Sequence, residues 1–556
     1  MVSPVHSGDS IPAHKLQVML DAVKKYGSYP INRAGVIMRQ LSEESFSLPE
    51  DFIFGVSNSG YQAEGGINEG DGPRNNWSVW EESGRVEKTG KAVNFWDNPD
   101  MHIEKAKSLG MNAFRMGIER SRVQPRGPKP GETKGQWDEA ALQRYGEIIS
   151  KVEQAGMKPV ITLHHFTHPL WLGSDPWLDA STTDVYVEYV VSLVEKINTL
   201  LLAMQAQPVL FWVTFNEPNL FPMMSYIAGE APAGKKGFKN EMIATDNMLY
   251  AHIRIYDKLH ELFQAKKWPV PQVGINTFCM SIYESDRIFY DLLLAPLRGI
   301  TRNKLKGYLK ERRKDFYQVF RKISRRRFGT LSYQRTYYLI YRNVCSLLFN
   351  RLKLKRTIDA LYASASPRKI DYVALDIYDP FLTGAFYLGN PFKKRDPMAE
   401  LIYRKPWWEW HYDAQTFQDC LTLHGNNLPS GIPIYVLETC IAHKQERYGK
   451  PVPRKDGISR ERFLRESIGE VVKAHLKGIP VRGYVYWSLT DNYEWGSFTP
   501  RLGLLTFDYK SMTIMNTDAF GIKSGDVYRS IVEALNSGNT EKIRKELGGI
   551  DSVSSR

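Results

Sequence analysis

Apolar residues gather along this chain in short runs that stop abruptly on polar side chains. FIFGVSNS begins at Phe52, AFRMGIE at Ala113, PVITLHH at Pro159 and LFWVTFNE at Leu210; PQVGINT follows from Pro271, DYVALDIYD from Asp371, IPIYVLET from Ile432 and VRGYVYWSL from Val481. Such runs, rich in Val, Ile, Phe and Tyr, predict strands shielded from water on both faces. Between them the hydrophobic period lengthens to that of helices, as over Asp100 to Gly110 and Ala140 to Gly156. Strand and helix alternating eight times predict an α/β fold, a closed (β/α)8 TIM barrel. Polar residues at the strands' carboxyl ends then share one face, the catalytic face of that architecture.

Some segments break the alternation. Residues 1–48 form an N-terminal extension in which Leu16, Met19, Leu20 and Val23 predict an amphipathic helix on the outside of the barrel, which occupies 49–538. The polar tail 539–556 is expected to fray. Between strands 5 and 6 the insert 298–365 is longer than a simple connection needs. Its Leu305, Tyr308, Leu309, Phe316, Phe320 and Ile323 fall on one side of a predicted helix, and Tyr333, Tyr337, Ile340, Val344, Leu348 and Leu352 on that of a second. From Arg298 to Arg356 there are 19 Lys or Arg and two acids, a net +17 in a chain of net +13, which leaves −4 for the rest. One intensely basic helical insert is carried on a mildly acidic body.

The apolar share, 42%, is that of a globular protein, and the 12% of aromatic residues is a level met where ring-stacking ligands such as sugars are handled. Cys279, Cys345, Cys420 and Cys440 are spaced like neither a disulfide framework nor a metal knuckle, which favours a reducing compartment. The first thirty residues lack the features of a secretory signal, and no run reaches the roughly 18 apolar residues that span a bilayer. A cytoplasmic protein without signal peptide or transmembrane helix is expected. His164, His165 and His168 lie where a strand runs into a loop and their spacing does not converge, so no metal site is predicted, and no cofactor is called for.

The run FWVTFNEPN buries itself and then sets Asn216 beside Glu217, and IPIYVLET does the same with Glu438. Glutamates at the ends of strands 4 and 7 face each other across a barrel mouth. When two carboxyls stand ~5 to 5.5 Å apart, one can attack a sugar's anomeric carbon while the other protonates the leaving oxygen. Two like charges that close also raise one pKa, keeping the acid protonated near neutrality.

These motifs resemble the retaining β-glycosidases of glycoside hydrolase family 1, over about residues 50–530 apart from the insert. The resemblance implies Glu217 as acid/base and Glu438 as nucleophile. It implies substrate contacts from Gln62 in SGYQAEGG, His165 in LHHFTHP, Asn216 in TFNEP, Tyr378 in LDIYD, and Trp487, Glu494 and Trp495 in WSLTDNYEW, with Arg115 in FRMGIERSR steadying the nucleophile. Taken singly, Trp487 and Trp495 read as core aromatics, His165 as a buried histidine and Arg115 as a structural ion pair; together, at successive strand ends, they argue for a site. A carboxylate at Glu494 would repel a 6-phosphate, so the expected substrate is an unphosphorylated β-glucoside or β-galactoside. The chain departs from the family where it has Leu437, Glu438, Thr439, Cys440 in place of Thr-Glu-Asn-Gly, and Asp376, Ile377, Tyr378 in place of Asn-Tyr-Tyr. Phe498 stands in for an aromatic at the site's edge, and PWWEWHY, Pro406 to Tyr412, either lines the leaving-group side or packs in the core.

The expected function is hydrolysis of O-linked β-glycosides with retention, on amphiphilic or lipid-linked substrates at a membrane surface. A transglycosylase moving sugar between glycolipids uses the same residues, as a chloroplast-envelope branch of the family does. A non-catalytic sugar-binding protein is disfavoured, since both glutamates remain. For 298–356 the readings are an anionic membrane surface, to which each basic residue contributes about 1 kcal/mol, or a solvated helical excursion or oligomer contact. Nucleic acid is not an expected partner, as no nucleic-acid module accompanies the charge.

Overall fold

The computed structural model of the chain describes residues 47–328, 343, 346–380 and 406–548. Eight parallel strands close into a barrel in chain order: β1 (Ile53–Ser57), β2 (Ala113–Gly117), β3 (Lys158–Thr162), β4 (Phe211–Asn216), β5 (Gln272–Phe278), β6 (Val373–Asp376), β7 (Ile434–Glu438) and β8 (Val481–Trp487), which returns to pair with β1. Each falls within one of the eight predicted runs or a residue from it. Helices cover the outside: α1 (Pro99–Ser108), α2 (Glu139–Gln154), α3 (Ala180–Ala203), α4 (Phe238–Lys266), α5 (Arg287–Leu293), α6 (Leu305–Phe328), α7 (Lys355–Ala363), α8 (Gln415–Gly425), α9 (Arg460–Leu476), α10 (Ser524–Asn536) and α11 (Thr540–Gly548). On α2, Leu142, Tyr145, Ile148, Ile149 and Val152 are buried, the stripe a 3.6-residue period dictates, and the helix starts where the Asp138 carboxylate accepts from Ala141 N–H at 2.9 Å.

The barrel interior is packed. Ile53, Ala113, Val160, Val213, Tyr372, Ala374, Tyr435, Leu437 and Val485 form one cluster separate from the layer between strands and helices. Gly274 on β5 makes room for Tyr372, whose ring would lie 2.6 Å from any Cβ placed there. Above this plug the strict alternation of a strand is broken twice. In β4 the register with β5 shifts between Val213 and Asn216: Thr214 bonds His252 of α4 at 2.8 Å and Phe215 packs on Tyr186 of α3, so both face outward, and Asn216 returns to the interior. In β7 the pairing steps from Leu375 with Val436 to Asp376 with Glu438, skipping Leu437. Leu437 and Glu438 therefore both point inward. A bulge re-aims a side chain in this way, and here one bulge turns each strand end toward the mouth.

The insert differs from expectation. The apolar stripe of α6 does not face outward; Leu305, Leu309, Phe316, Phe320 and Ile323 are buried as the helix packs on α5 and α8. Part of its positive charge is also consumed by acids of the body: Arg312 pairs with Asp291 at 3.4 Å, Arg313 with Glu284, and Arg351 with Glu241 of α4 at 2.9 Å. Tyr333, Tyr337, Ile340 and Val344 of the predicted second helix lie outside the described residues, as does the helix predicted near Leu16. Leu348 and Leu352 do not share a helix, because the chain leaves helical conformation at 349 and 350 before a short 3-10 turn, Arg351–Lys353. The tail is corrected too. Instead of fraying at once after 538, it forms α11, anchored by buried Ile543 and Leu547 and by Arg465 of α9, which holds Glu546 at 2.9 Å. Among the described residues no helix is long and apolar enough to cross a membrane.

Gly274→Ala should cost about 1–3 kcal/mol of stability through overpacking against Tyr372, read as a lower urea midpoint with an unchanged slope.

Candidate active site

The carboxyl ends of the strands surround a cavity lined by His165, Asn216, Glu217, Tyr378, Glu438, Trp487, Glu494 and Trp495, together with Phe166, Leu220, Met224, Phe278, Trp407 and Trp410. Carboxyl oxygens of Glu217, Glu438 and a third acid, Asp376, lie within 4.8 Å of one another, and all three residues are buried. Charges packed this tightly away from water require compensation. Arg115, midway along β2 and fully buried, supplies it.

Its Nη1 donates to Glu438 Oε1 at 2.5 Å, its Nη2 to Asn216 Oδ1 at 2.7 Å and its Nε to Thr162 Oγ1 at 3.0 Å. Tyr378 Oη donates to the other oxygen of Glu438 at 2.8 Å. Burial raises the pKa of Glu438, but Arg115 and Tyr378 oppose the rise by stabilising its anion. Glu217 has a different environment. Its backbone is held at φ 43°, in the left-handed region, and its N–H donates to Asn276 O at 3.0 Å. Burial, then the charges of Asp376 and Glu438, push its pKa well above the usual carboxylate range, the carboxyl of Asp376 lying within 4.8 Å. Asp376 is likewise raised, by burial and by Glu438, and Asn276 Nδ2 donates both to Asp376 and, at 2.6 Å, to Asn216 Oδ1.

Opposite the acids stands an aromatic wall. The His165 ring lies near parallel to Trp487 and Trp495, with centroids 5.5 and 5.6 Å away, and burial holds it well below the usual histidine pKa, hence neutral. Trp487 Nε1 donates to Glu494 Oε2 at 3.2 Å. Burial raises Glu494 to about 8. Trp407 and Trp410 stack on each other at 5.1 Å and line the cavity, so of the two readings of PWWEWHY the lining one holds for this pair.

Gln62 and Arg115 are brought to the site but lie behind its surface. Gln62 Nε2 donates to Tyr493 O at 3.0 Å and Ser59 Oγ to Gln62 Oε1 at 2.7 Å, while its side chain also bonds Glu494. Phe498 is not at the edge. It is fully buried, packed against Tyr493 and Tyr509 at 5.2 and 4.9 Å and covered by Arg447. Sequence reading missed Asp376 as a site residue, noting it only as a departure, and missed Asn276, although INTF sets an amide two residues before the end of β5, as β4 ends on Asn216. Two groups of described side chains could hold a metal ion, Glu217/Asp376/Glu438 and Cys279/Cys420/His424. In the first the positive charge is already provided by Arg115. His164 and His168 join neither group; burial depresses both, His168 to about 4.

A closed parallel barrel with facing acids and an aromatic wall at its mouth defines a barrel glycosidase. Residues 44–294 and 369–536 match the model of Glycosyl hydrolase family 1, and the chain belongs to that family of glycoside hydrolases. The stretch the match omits is the basic insert with its flanks. A β-galactosidase of Sulfolobus acidocaldarius is 26% identical over 88% of this chain and 95% of its own. The galactolipid galactosyltransferase SFR2 of Arabidopsis thaliana is 24% identical over 78% of this chain, which spans 57% of that protein's length. The β-glucosidase of Thermotoga maritima, solved with castanospermine, superposes with a TM-score of 0.62 at 20% identity, over 88% of this chain and 99% of that one.

A group whose pKa is raised in the fold, as Glu494 is from 4.5 to about 8, contributes its full stability below the ordinary value and loses it as the pH rises through the folded one. Glu494→Gln should remove that loss. Relative to the parent, the variant should gain thermal stability progressively between about pH 5 and pH 8, measured as the difference in Tm across a pH series.

Proposed function

We propose that the protein is a retaining β-glycosidase acting on unphosphorylated β-glucosides or β-galactosides, with Glu438 as nucleophile and Glu217 as acid/base. The observation that carries this is the contrast between two carboxyls within 4.8 Å of each other, one bound by a guanidinium and a phenol, the other set beside a third carboxyl that raises its pKa. Environments that push neighbouring pKa values apart assign acid and base roles. Glu438, anionic, attacks the anomeric carbon as the bond to the leaving oxygen breaks, and Glu217 gives that oxygen its proton. In the second half, Glu217 takes a proton from water, the oxygen of which displaces Glu438 from the sugar, and the starting states return with the configuration retained. Asn216, held by Arg115 and Asn276, presents its amide to a hydroxyl beside the reacting carbon; Trp487 and Trp495 stack on the ring face; Glu494 accepts from outer hydroxyls.

A lipid-linked leaving group or acceptor is favoured by the apolar outer lining, Leu220, Met224, Phe278, Trp407 and Trp410. An acceptor hydroxyl replacing water gives transfer between glycolipids, the activity named for the Arabidopsis relative. The apolar face of α6 is turned inward, so attachment to an anionic surface rests on its exposed Lys306, Lys310, Lys314 and Lys322, and is salt-sensitive. Co-sedimentation with anionic vesicles at low salt tests it; a chain that stays in the supernatant has no such surface.

Glu438→Gln should abolish turnover on all substrates. Glu217→Gln should slow cleavage of alkyl β-glycosides by about 10²- to 10⁴-fold but affect activated aryl glycosides far less, because these leave without a proton. Equal losses on both would remove Glu217 from the acid role. Asp376→Asn deletes a charge that raises the pKa of Glu217, so the alkaline limb of kcat/KM, where the acid is lost, should move to lower pH by about 1 unit.

A further inference from the structure

A second constellation sits behind the catalytic floor, in no part of the chemistry above. Cys279 follows directly on β5, and its N–H donates to Asp376 O at 3.0 Å. Cys420 and His424 lie one turn apart on α8, a spacing that sets both on one helix face. The two sulfurs and one ring nitrogen of His424 lie within 4.8 Å of one another, and none of the three residues is exposed to solvent. Both cysteines are free thiols. Neither ring nitrogen of His424 makes a hydrogen bond of ordinary length; the Asp286 carboxylate and the Cys420 sulfur lie beside the ring. Asp286 Oδ2 stands 3.6 Å from His424 Nε2, and that oxygen already accepts from the N–H groups of Met280 and Ser281 at 3.0 and 2.9 Å, so the carboxylate is fixed in place. The neighbouring cation, Arg287, is directed away, to Asp291 at 3.1 Å and to the carbonyl of His424.

Two thiols and an imidazole converging in the buried interior are the donor set of a thiophilic cation. Around an ion with metal–sulfur bonds of about 2.3 Å, tetrahedral donors stand ~3.5 to 3.8 Å apart, within the separation found. We propose that Cys279, Cys420 and His424 bind a thiophilic d10 cation of the Zn²⁺ type, with Asp286 orienting the imidazole, the arrangement by which metal-bound histidines are commonly held. The ion is structural. It ties the end of β5 to α8 at the place where α6 docks, with Phe316 against the His424 ring at 6.4 Å. It also anchors Cys279 next to Phe278, which lines the cavity. The pattern escaped sequence reading because Cys279 and the Cys420/His424 pair are far apart along the chain.

The test is to produce the full chain in medium supplemented with Co²⁺, and separately with Zn²⁺, and to measure bound metal by mass spectrometry and the cobalt spectrum by absorption. About one metal per chain is expected, with thiolate-to-cobalt bands in the near ultraviolet. Cys279→Ser and Cys420→Ser should lose most of the metal, and Zn²⁺ should raise the Tm of the parent but not theirs. Should those variants fail to fold, Cys345→Ser and Cys440→Ser decide: bands persisting in both leave Cys279 and Cys420 as the thiolate donors among the four cysteines. A parent chain that shows no thiolate bands, or metal retained equally by Cys279→Ser and Cys420→Ser, overturns the proposal.

Discussion

The site depends on one buried guanidinium. Three acids crowd the top of the barrel where water cannot screen them, and without a fixed positive charge that cluster would have to protonate throughout or drive the strand ends apart. Arg115 prevents both by binding Glu438 directly and by reaching Asn216, through which Asn276 and Asp376 are connected. Because its planar donors are spent on different strands, it also fixes how β2, β3, β4 and β7 stand relative to one another at the mouth. The same contacts therefore hold the shape and set the charge balance.

The two bulges make this possible. A regular strand places every second residue inside, and in β7 that rule would bring Leu437 in and send Glu438 toward the helices. One unpaired residue in each of β4 and β7 turns the terminal side chain inward while the plug of apolar residues beneath remains undisturbed. The departure of Asp376 from the family's amide acts within this frame: an amide would donate without carrying charge, whereas the carboxyl of Asp376 raises the pKa of Glu217 beside it.

The barrel was legible in the sequence because each strand is a local signal, an apolar run with a polar end, and because eight of them close only one way. Glu217 and Glu438 were legible for the same reason. What was not legible depends on pairing. A bulge leaves no mark on composition, and Asp376 gains its meaning only from Asn276 and Glu217 beside it. The helix α6 could be read from its period, but not the surface its apolar face meets; the buried acids that receive it, Asp291 and Glu284, lie on other segments. Phe498 was misplaced because an aromatic near a site and an aromatic in the adjoining core have the same local pattern. The tail was underestimated because two apolar residues four apart, Ile543 and Leu547, suffice to dock a short helix.

Those ion pairs bear on how the insert can be regarded. Arg351 and Glu241 are both fully enclosed, and Arg313 reaches a buried Glu284. An addition that merely decorated a finished enzyme would leave intact ground behind when cut away. Excising this one would strand carboxylates in apolar surroundings, so the catalytic body and its basic appendage have become mutually obligatory, and a trimmed barrel would first need neutral replacements at those acidic positions.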